Sequence, residues 1–194
     1  MVEKINPVLR EIISNRVNSM TQEMGLNLVR TAYNVVWSED RDFSCALFDY
    51  KAHVLGLASF VPAHQGGMAG SMEYVVDKWG IDGLEDGDII MHNDGLHKGS
   101  HTPDITLFKP IFYEGNLVAI AGCAAHHIDT GGMHPQTYCP DCIEIYGEGI
   151  RFPAVKLFRR GELQQDILDT YFTNIRGWES EKCSSAATVS IKSR

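Results

Sequence analysis

Apolar residues recur at helical spacing near the start of the chain, at Leu9, Ile13, Val17, Met20, Met24 and Leu28, with polar residues between them. Asn6 offers a capping oxygen and Pro7 a pre-set backbone angle for a first helical position, so one long amphipathic helix is expected over residues 7–34. Its methionines read as packing, because an unbranched thioether fills irregular gaps. From Asp42 the pattern changes. Short apolar or alternating runs at 44–49 and 52–57 predict strands, and an Ala/Gly/Met segment at 66–79 predicts a second helix. Asp86-Gly87-Asp88 reads as a turn, Ile89-Ile90-Met91 as a short strand, and residues 93–103 as a loop rich in Gly, His and Asp.

The next two runs, 105–112 and 117–125, are joined by Tyr113-Glu114-Gly115-Asn116, a connection with turn chemistry, and so predict a β-hairpin. Asp104 precedes its first strand and His126 follows its second. Antiparallel pairing brings those two positions to the same end. After Gly131-Gly132 the chain reads as irregular to about residue 150, then as an extended piece at 151–157 and a helix from Leu163 to about Arg176. Residues 177–194 are polar and Ser-rich without a period, and a poorly ordered tail is expected there. The fold expected is α+β: a long N-terminal helix packed on antiparallel strands, with a metal-type site at the hairpin ends.

Composition narrows the function classes. The length of 194 residues, 44% of them hydrophobic, suits one domain with a sizeable core. A formal net charge of -8 argues against a nucleic-acid footprint and against a polybasic membrane patch, leaving small molecules and protein partners. No stretch approaches the roughly 18 apolar residues of a membrane span, and the N-terminus opens on a charged helical segment, so a cytoplasmic location is expected. The five cysteines, at 45, 123, 139, 142 and 183, are odd in number and scattered, which reads as reduced thiols.

All eight histidines lie between His53 and His134. Among them one four-residue unit occurs twice, as His101-Thr-Pro-Asp104 and His126-His-Ile-Asp129, each beside glycines and at an end of the hairpin. Imidazole nitrogen with carboxylate oxygen suits a divalent ion such as Mn, Fe, Co or Zn and leaves positions open for water or substrate. The competing reading is that these side chains close turns and bind backbone carbonyls. His126 and His127 would point to opposite faces of a strand, so one of them at most is a ligand. His64 and His97 are accessory candidates. Cys139-Pro-Asp-Cys142 has the spacing of a zinc half-site or a redox pair, without a second CxxC. The phosphate loop GxxxxGK[ST] and the nucleophile elbow GxSxG are both absent, so any ATP would be bound by another polypeptide.

Several phrases in order resemble the hydantoinase B/oxoprolinase family, which includes acetone carboxylase alpha-type subunits. They are Arg41-Asp-Phe-Ser-Cys-Ala-Leu-Phe-Asp49, Pro62-Ala-His-Gln-Gly-Gly-Met68, Gly87-Asp-Ile-Ile-Met-His-Asn-Asp94, Gly99-Ser-His-Thr-Pro-Asp104, His126-His-Ile-Asp-Thr-Gly-Gly132 and Glu148-Gly-Ile-Arg-Phe-Pro-Ala-Val-Lys-Leu157. Two loop phrases depart from the family pattern, Asn93-Asp94-Gly95 and Lys98-Gly99.

The resemblance implies an enzyme subunit that works with a hydantoinase A-type, nucleotide-binding partner in ATP-dependent opening of a cyclic amide or carboxylation of a ketone. It implies a metal held by His101, Asp104 and His126 with Asp129 beside them, manganese favoured and zinc or iron as alternatives, and proton transfer by His127 or His97. Family members run to several hundred residues. The resemblance therefore covers the N-terminal part of such a protein, residues 1–176, with a divergent tail from Gly177, as in a truncated gene product. A non-catalytic scaffold of the same fold is the alternative.

Overall fold

The computed structural model describes residues 6–135 and 139–176; the tail expected at 177–194 lies outside the described residues. Helix α1, Pro7–Thr31, begins as its cap predicts, with Asn6 Oδ1 accepting from Val8 N at 2.9 Å. It ends three residues short of the expected 34. Ala32 is extended, and Asn34 recaps the chain by accepting from Val36 N, which starts a one-turn helix α2, Val35–Ser38, and buries Trp37. Only the C-terminal half of the apolar stripe meets the body of the protein: Met24 and Leu28 pack with Trp37, Phe43 and Cys45, whereas Leu9 and Ile13 remain half exposed.

Seven strands follow, β1 (Phe43–Phe48), β2 (Val54–Ser59), β3 (Ile89–His92), β4 (Asp104–Tyr113), β5 (Asn116–His126), β6 (Val155–Arg159) and β7 (Glu162–Leu163). They form one sheet in the order β2-β1-β5-β4-β3-β6-β7, every neighbouring pair antiparallel. The predicted hairpin is its centre, and the α+β architecture of a long N-terminal helix on antiparallel strands is the one observed. The piece expected to be extended over 151–157 pairs only from Val155 onward.

Helix α3, Ala63–Trp79, covers one face of the sheet, where Met68, Met72 and Val75 pack on Phe48, Ile90, Phe108 and Ile120. It starts one turn earlier than expected, because Pro62 sits at a helical φ of -59° and Ala63-His64-Gln65 continue from it. That extra turn places His64 inside the helix. On the other face α1 lies at the β2–β1 edge, and α4, Gln165–Asn174, packs Tyr171 and Phe172 against Ile89, Met91, Ile105 and Leu157. Between α1 and α4 the sheet bears a groove of about 930 Å³ lined by residues such as Met24, Leu107, Ala121, Cys123 and Leu168. Two-sided apolar burial explains why the central strands read as continuous apolar runs rather than strict alternations.

A buried ion pair ties the α3–β3 connection to β6. Lys156 Nζ lies 2.7 Å from Asp88 Oδ2 and donates to Gly83 O at 2.7 Å, and Asp88 is fully buried. The Asp88 oxygens also accept from the backbone N–H groups of Glu85 and Arg160, each at 3.0 Å. Among the described residues, no helix is long and apolar enough to cross a membrane.

Candidate metal centre

The hairpin register sets Asp104 directly opposite His126, at the open end of the β4–β5 ladder. Their side chains leave the sheet on the same face, and His126 Nδ1 stands 3.1 Å from Asp104 Oδ1. His101 joins them through a tight turn in which Asp104 N donates to His101 O at 3.1 Å; its Nε2 is 2.7 Å from the same Oδ1. Among the described residues these three form the group of His, Cys, Asp or Glu side chains whose ligand atoms all lie within 4.8 Å of one another. Pro103 keeps Thr102 from continuing a helix, which leaves the 101–104 segment as a turn with both ends facing inward. Glu148 holds that turn from across the loop, its Oε2 accepting from Thr102 N at 3.1 Å.

Asp104 is nearly enclosed, while the His101 side chain is 45% exposed, so the group opens to solvent on the His101 side. A cleft of about 390 Å³ adjoins it, lined by Leu96, Gly99 and Ser100 on one side and by Cys142, Ile145 and Glu148 on the other. Burial alone would raise the Asp104 carboxyl, but hydrogen bonds from His101, His126 and His64 outweigh it and hold the group far below the usual carboxylate range. The same bond to Asp104 raises His101 above the ordinary histidine value. Two imidazole nitrogens aimed at one ionised oxygen, with an open side, form a donor set that fits a divalent cation and leaves positions for water or substrate.

The linkage of these groups to stability has a definite sign without metal. The depressed Asp104 contributes stability that is complete above its unfolded value of about 3.9 and is lost as pH falls through the folded value. The raised His101 contributes stability that is complete below about 6.5 and is lost as pH rises through its folded value. In chelator-treated protein the gap in melting temperature between parent and His101→Ala should therefore narrow as pH is raised from about 6 to 9. A pH-independent gap in differential scanning calorimetry would show that the pair does not form.

The other residues singled out from the sequence lie elsewhere. Asp129 does not join the three: its Oδ1 accepts from Gly131 N at 2.8 Å and from Arg176 Nη1 at 3.2 Å, and its Oδ2 from Arg176 N at 2.5 Å, which pins the end of α4 to the loop after β5. His127 turns to the opposite face, 3.0 Å from the Tyr171 hydroxyl and edge-on to Trp37, where burial pushes its pKa down to about 3. His97 is half exposed, with Nδ1 2.8 Å from Asp94 Oδ2, and Asp94 also accepts from Arg151 at 2.9 Å. Cys139 and Cys142 sit on a turn, Cys142 N donating to Cys139 O at 3.0 Å, and the neighbouring thiol pushes Cys142 up to about 11.

Two supports of the site have no local signal. Asn93, at the end of β3, donates to Thr102 O and Ile150 O and accepts from Phe152 N, so one amide clamps three segments. Asp42 accepts from His126 N through its backbone oxygen at 3.0 Å and meets His64 through its carboxylate. Both act across long sequence separations, where no period or spacing reports them.

Comparison with known proteins places this geometry among relatives. The family model for hydantoinase B/oxoprolinase matches residues 6–190. Caprolactamase subunit beta of Pseudomonas jessenii is 36% identical over 172 residues, which is 89% of this chain and 29% of that protein. The crystal structure of the ATP-dependent caprolactamase from the same organism superposes with a TM-score of 0.83 at 32% identity, over 98% of this chain and 33% of that one. Acetone carboxylase in its nucleotide-free structure shares the fold, with a TM-score of 0.85 at 22% identity, over 96% of this chain and 25% of that one. The chain thus spans about a third of the length of the caprolactamase chains it matches.

Proposed function

The chain belongs to the hydantoinase B/oxoprolinase family, and on that premise we propose that it contributes a divalent-metal centre to an ATP-dependent enzyme that opens a cyclic amide or carboxylates a ketone. The observation that carries this reading is the convergence of His101, Asp104 and His126 at the hairpin end, with the cleft beside them. Its size is that of a small-molecule site. His101 and His126 offer imidazole nitrogens and Asp104 its Oδ1. A divalent ion held there, manganese in first place and zinc or iron as alternatives, supplies Lewis acidity toward a carbonyl or a developing enolate.

The remaining roles fall to the chain's own groups and to a partner. Proton transfer is assigned to His97, which is half exposed and held by Asp94, in preference to His127, which is enclosed by Trp37 and Tyr171 and neutral at working pH. Nucleotide binding is assigned to a hydantoinase A-type subunit, since the sequence lacks a GxxxxGK[ST] loop. The similarity to caprolactamase subunit beta of Pseudomonas jessenii supports an enzyme built from more than one subunit.

Mixing the purified chain with an A-type subunit tests the reading. Release of phosphate from ATP that depends on adding a hydantoin, 5-oxoproline or a ketone is the expected result. Complex formation with no turnover on any of them would favour the scaffold alternative, and absence of both would sink the assignment.

A further inference from the structure

We propose that His64 is a positioning residue that decides which oxygen of Asp104 faces the metal, an inference resting on the reading of His101, Asp104 and His126 as ligands. His64 lies in the first turn of α3 and is 3% exposed. Its Nε2 is 3.5 Å from Asp104 Oδ2 and 3.5 Å from Asp42 Oδ1, while its Nδ1 is buried without a hydrogen-bond partner. That asymmetry assigns the tautomer. A proton on Nδ1 would be a buried, unsatisfied donor, and a bare Nε2 would then face two acceptor oxygens. The proton therefore sits on Nε2 and points at the carboxylates.

The two oxygens of Asp104 consequently have different duties. Oδ1 faces His101 and His126, at 2.7 and 3.1 Å. Oδ2 accepts from Ser100 Oγ at 3.0 Å and faces His64 Nε2. With Oδ2 held by donors, only Oδ1 is left to bind a cation, so the carboxylate is one-toothed and its plane is fixed. Groups that orient a ligand in this way set metal affinity without touching the metal.

The sequence builds the contact through a glycine. A Cβ on Gly67 would come 2.6 Å from Ser100 Cβ, so the bare backbone of α3 lies directly against the loop that carries Ser100. That close approach brings His64 and Ser100 to the same oxygen. Asp42 links the arrangement to the second ligand, because its backbone oxygen accepts from His126 N while its carboxylate meets His64.

The test is a Mn²⁺ titration of the full chain, free ion read by electron paramagnetic resonance, for the parent, His64→Leu and His64→Gln, with thermal melts alongside. His64→Leu should weaken Mn²⁺ binding by about 10- to 100-fold, and His64→Gln, which carries an amide N–H to nearly the Nε2 position, should recover most of it. A purely structural role would move both variants together with their melting temperatures. Ser100→Ala, which removes the other donor to Oδ2, should weaken binding in the same direction and serves if His64→Leu does not fold. Mn²⁺ on the parent with undiminished affinity in His64→Leu, or in Ser100→Ala when His64→Leu does not fold, overturns this inference alone. A parent that takes no Mn²⁺ overturns it together with the metal reading.

Discussion

Replacing His101 and His126 together by alanine should leave a protein that retains no divalent metal after dialysis against a weak chelator, whereas the parent retains close to one equivalent. Both histidines address the same Asp104 oxygen, so their removal takes away every imidazole donor of the group and leaves one carboxylate, too few ligands to hold an ion against competition. Elemental analysis of the two proteins reads the result, with circular dichroism confirming that the variant is folded. Asp129→Asn belongs in the same experiment as a control. Its carboxylate bonds to Arg176 and Gly131, so it should keep the metal and lose only its anchor on α4. A parent without metal would remove the basis of the proposed chemistry, and metal loss in Asp129→Asn would restore a four-ligand set.

The largest effect on stability is expected from Lys156→Met. The substitution keeps most of the apolar stem but removes the cation that lies over Trp79 and 2.7 Å from Asp88, leaving a fully buried carboxylate with its two backbone donors. Breaking one side of a buried pair costs about 3–5 kcal/mol, because the surviving charge stays desolvated. Domains of ordinary stability have about 5–15 kcal/mol in total, so the variant should be marginal or unfolded at ambient temperature. Urea denaturation measures the loss directly as a shift in midpoint at constant slope. Added salt should change it little, as both charges are buried. A loss under about 1 kcal/mol would mean that the pair behaves like an exposed one.

The parts of the fold legible in the sequence are those specified by neighbours along the chain. The Asn6-Pro7 start of α1 depends on a side chain reaching two residues ahead. The β4–β5 hairpin depends on two apolar runs and the turn between them, but its register at the far end is set by a bulge between Ile111 and Phe112, which shifts the pairing by one residue. Because Asp104 and His126 sit at the two ends of that one local unit, antiparallel pairing alone brings them to the same end, and the bulge then sets them face to face. His101 came with them through the short turn at Pro103. Alternation along β5 likewise separated His126 from His127.

Which of those two histidines faced the site was another matter. It depends on which face of the sheet carries α3 and which carries α4, and that follows from packing among Met68, Phe108 and Ile120 on one side and Ile89, Ile105 and Tyr171 on the other. The displacement of Asp129 has the same origin. A second HxxD unit looks equivalent to the first, but Arg176, 47 residues further on, takes both of its oxygens. His64 reaches Asp104 because a helix lies against a loop at Gly67, and Asn93 reaches Phe152 across 59 residues. Turn chemistry and side-chain period act over a few residues and were enough for the hairpin and for bringing Asp104 and His126 to one end of it. The sidedness of the sheet, the fate of Asp129 and the hold on Asp104 arose from contacts between elements far apart in the chain, where hydrophobic packing chooses the partners and local spacing carries no trace of the choice.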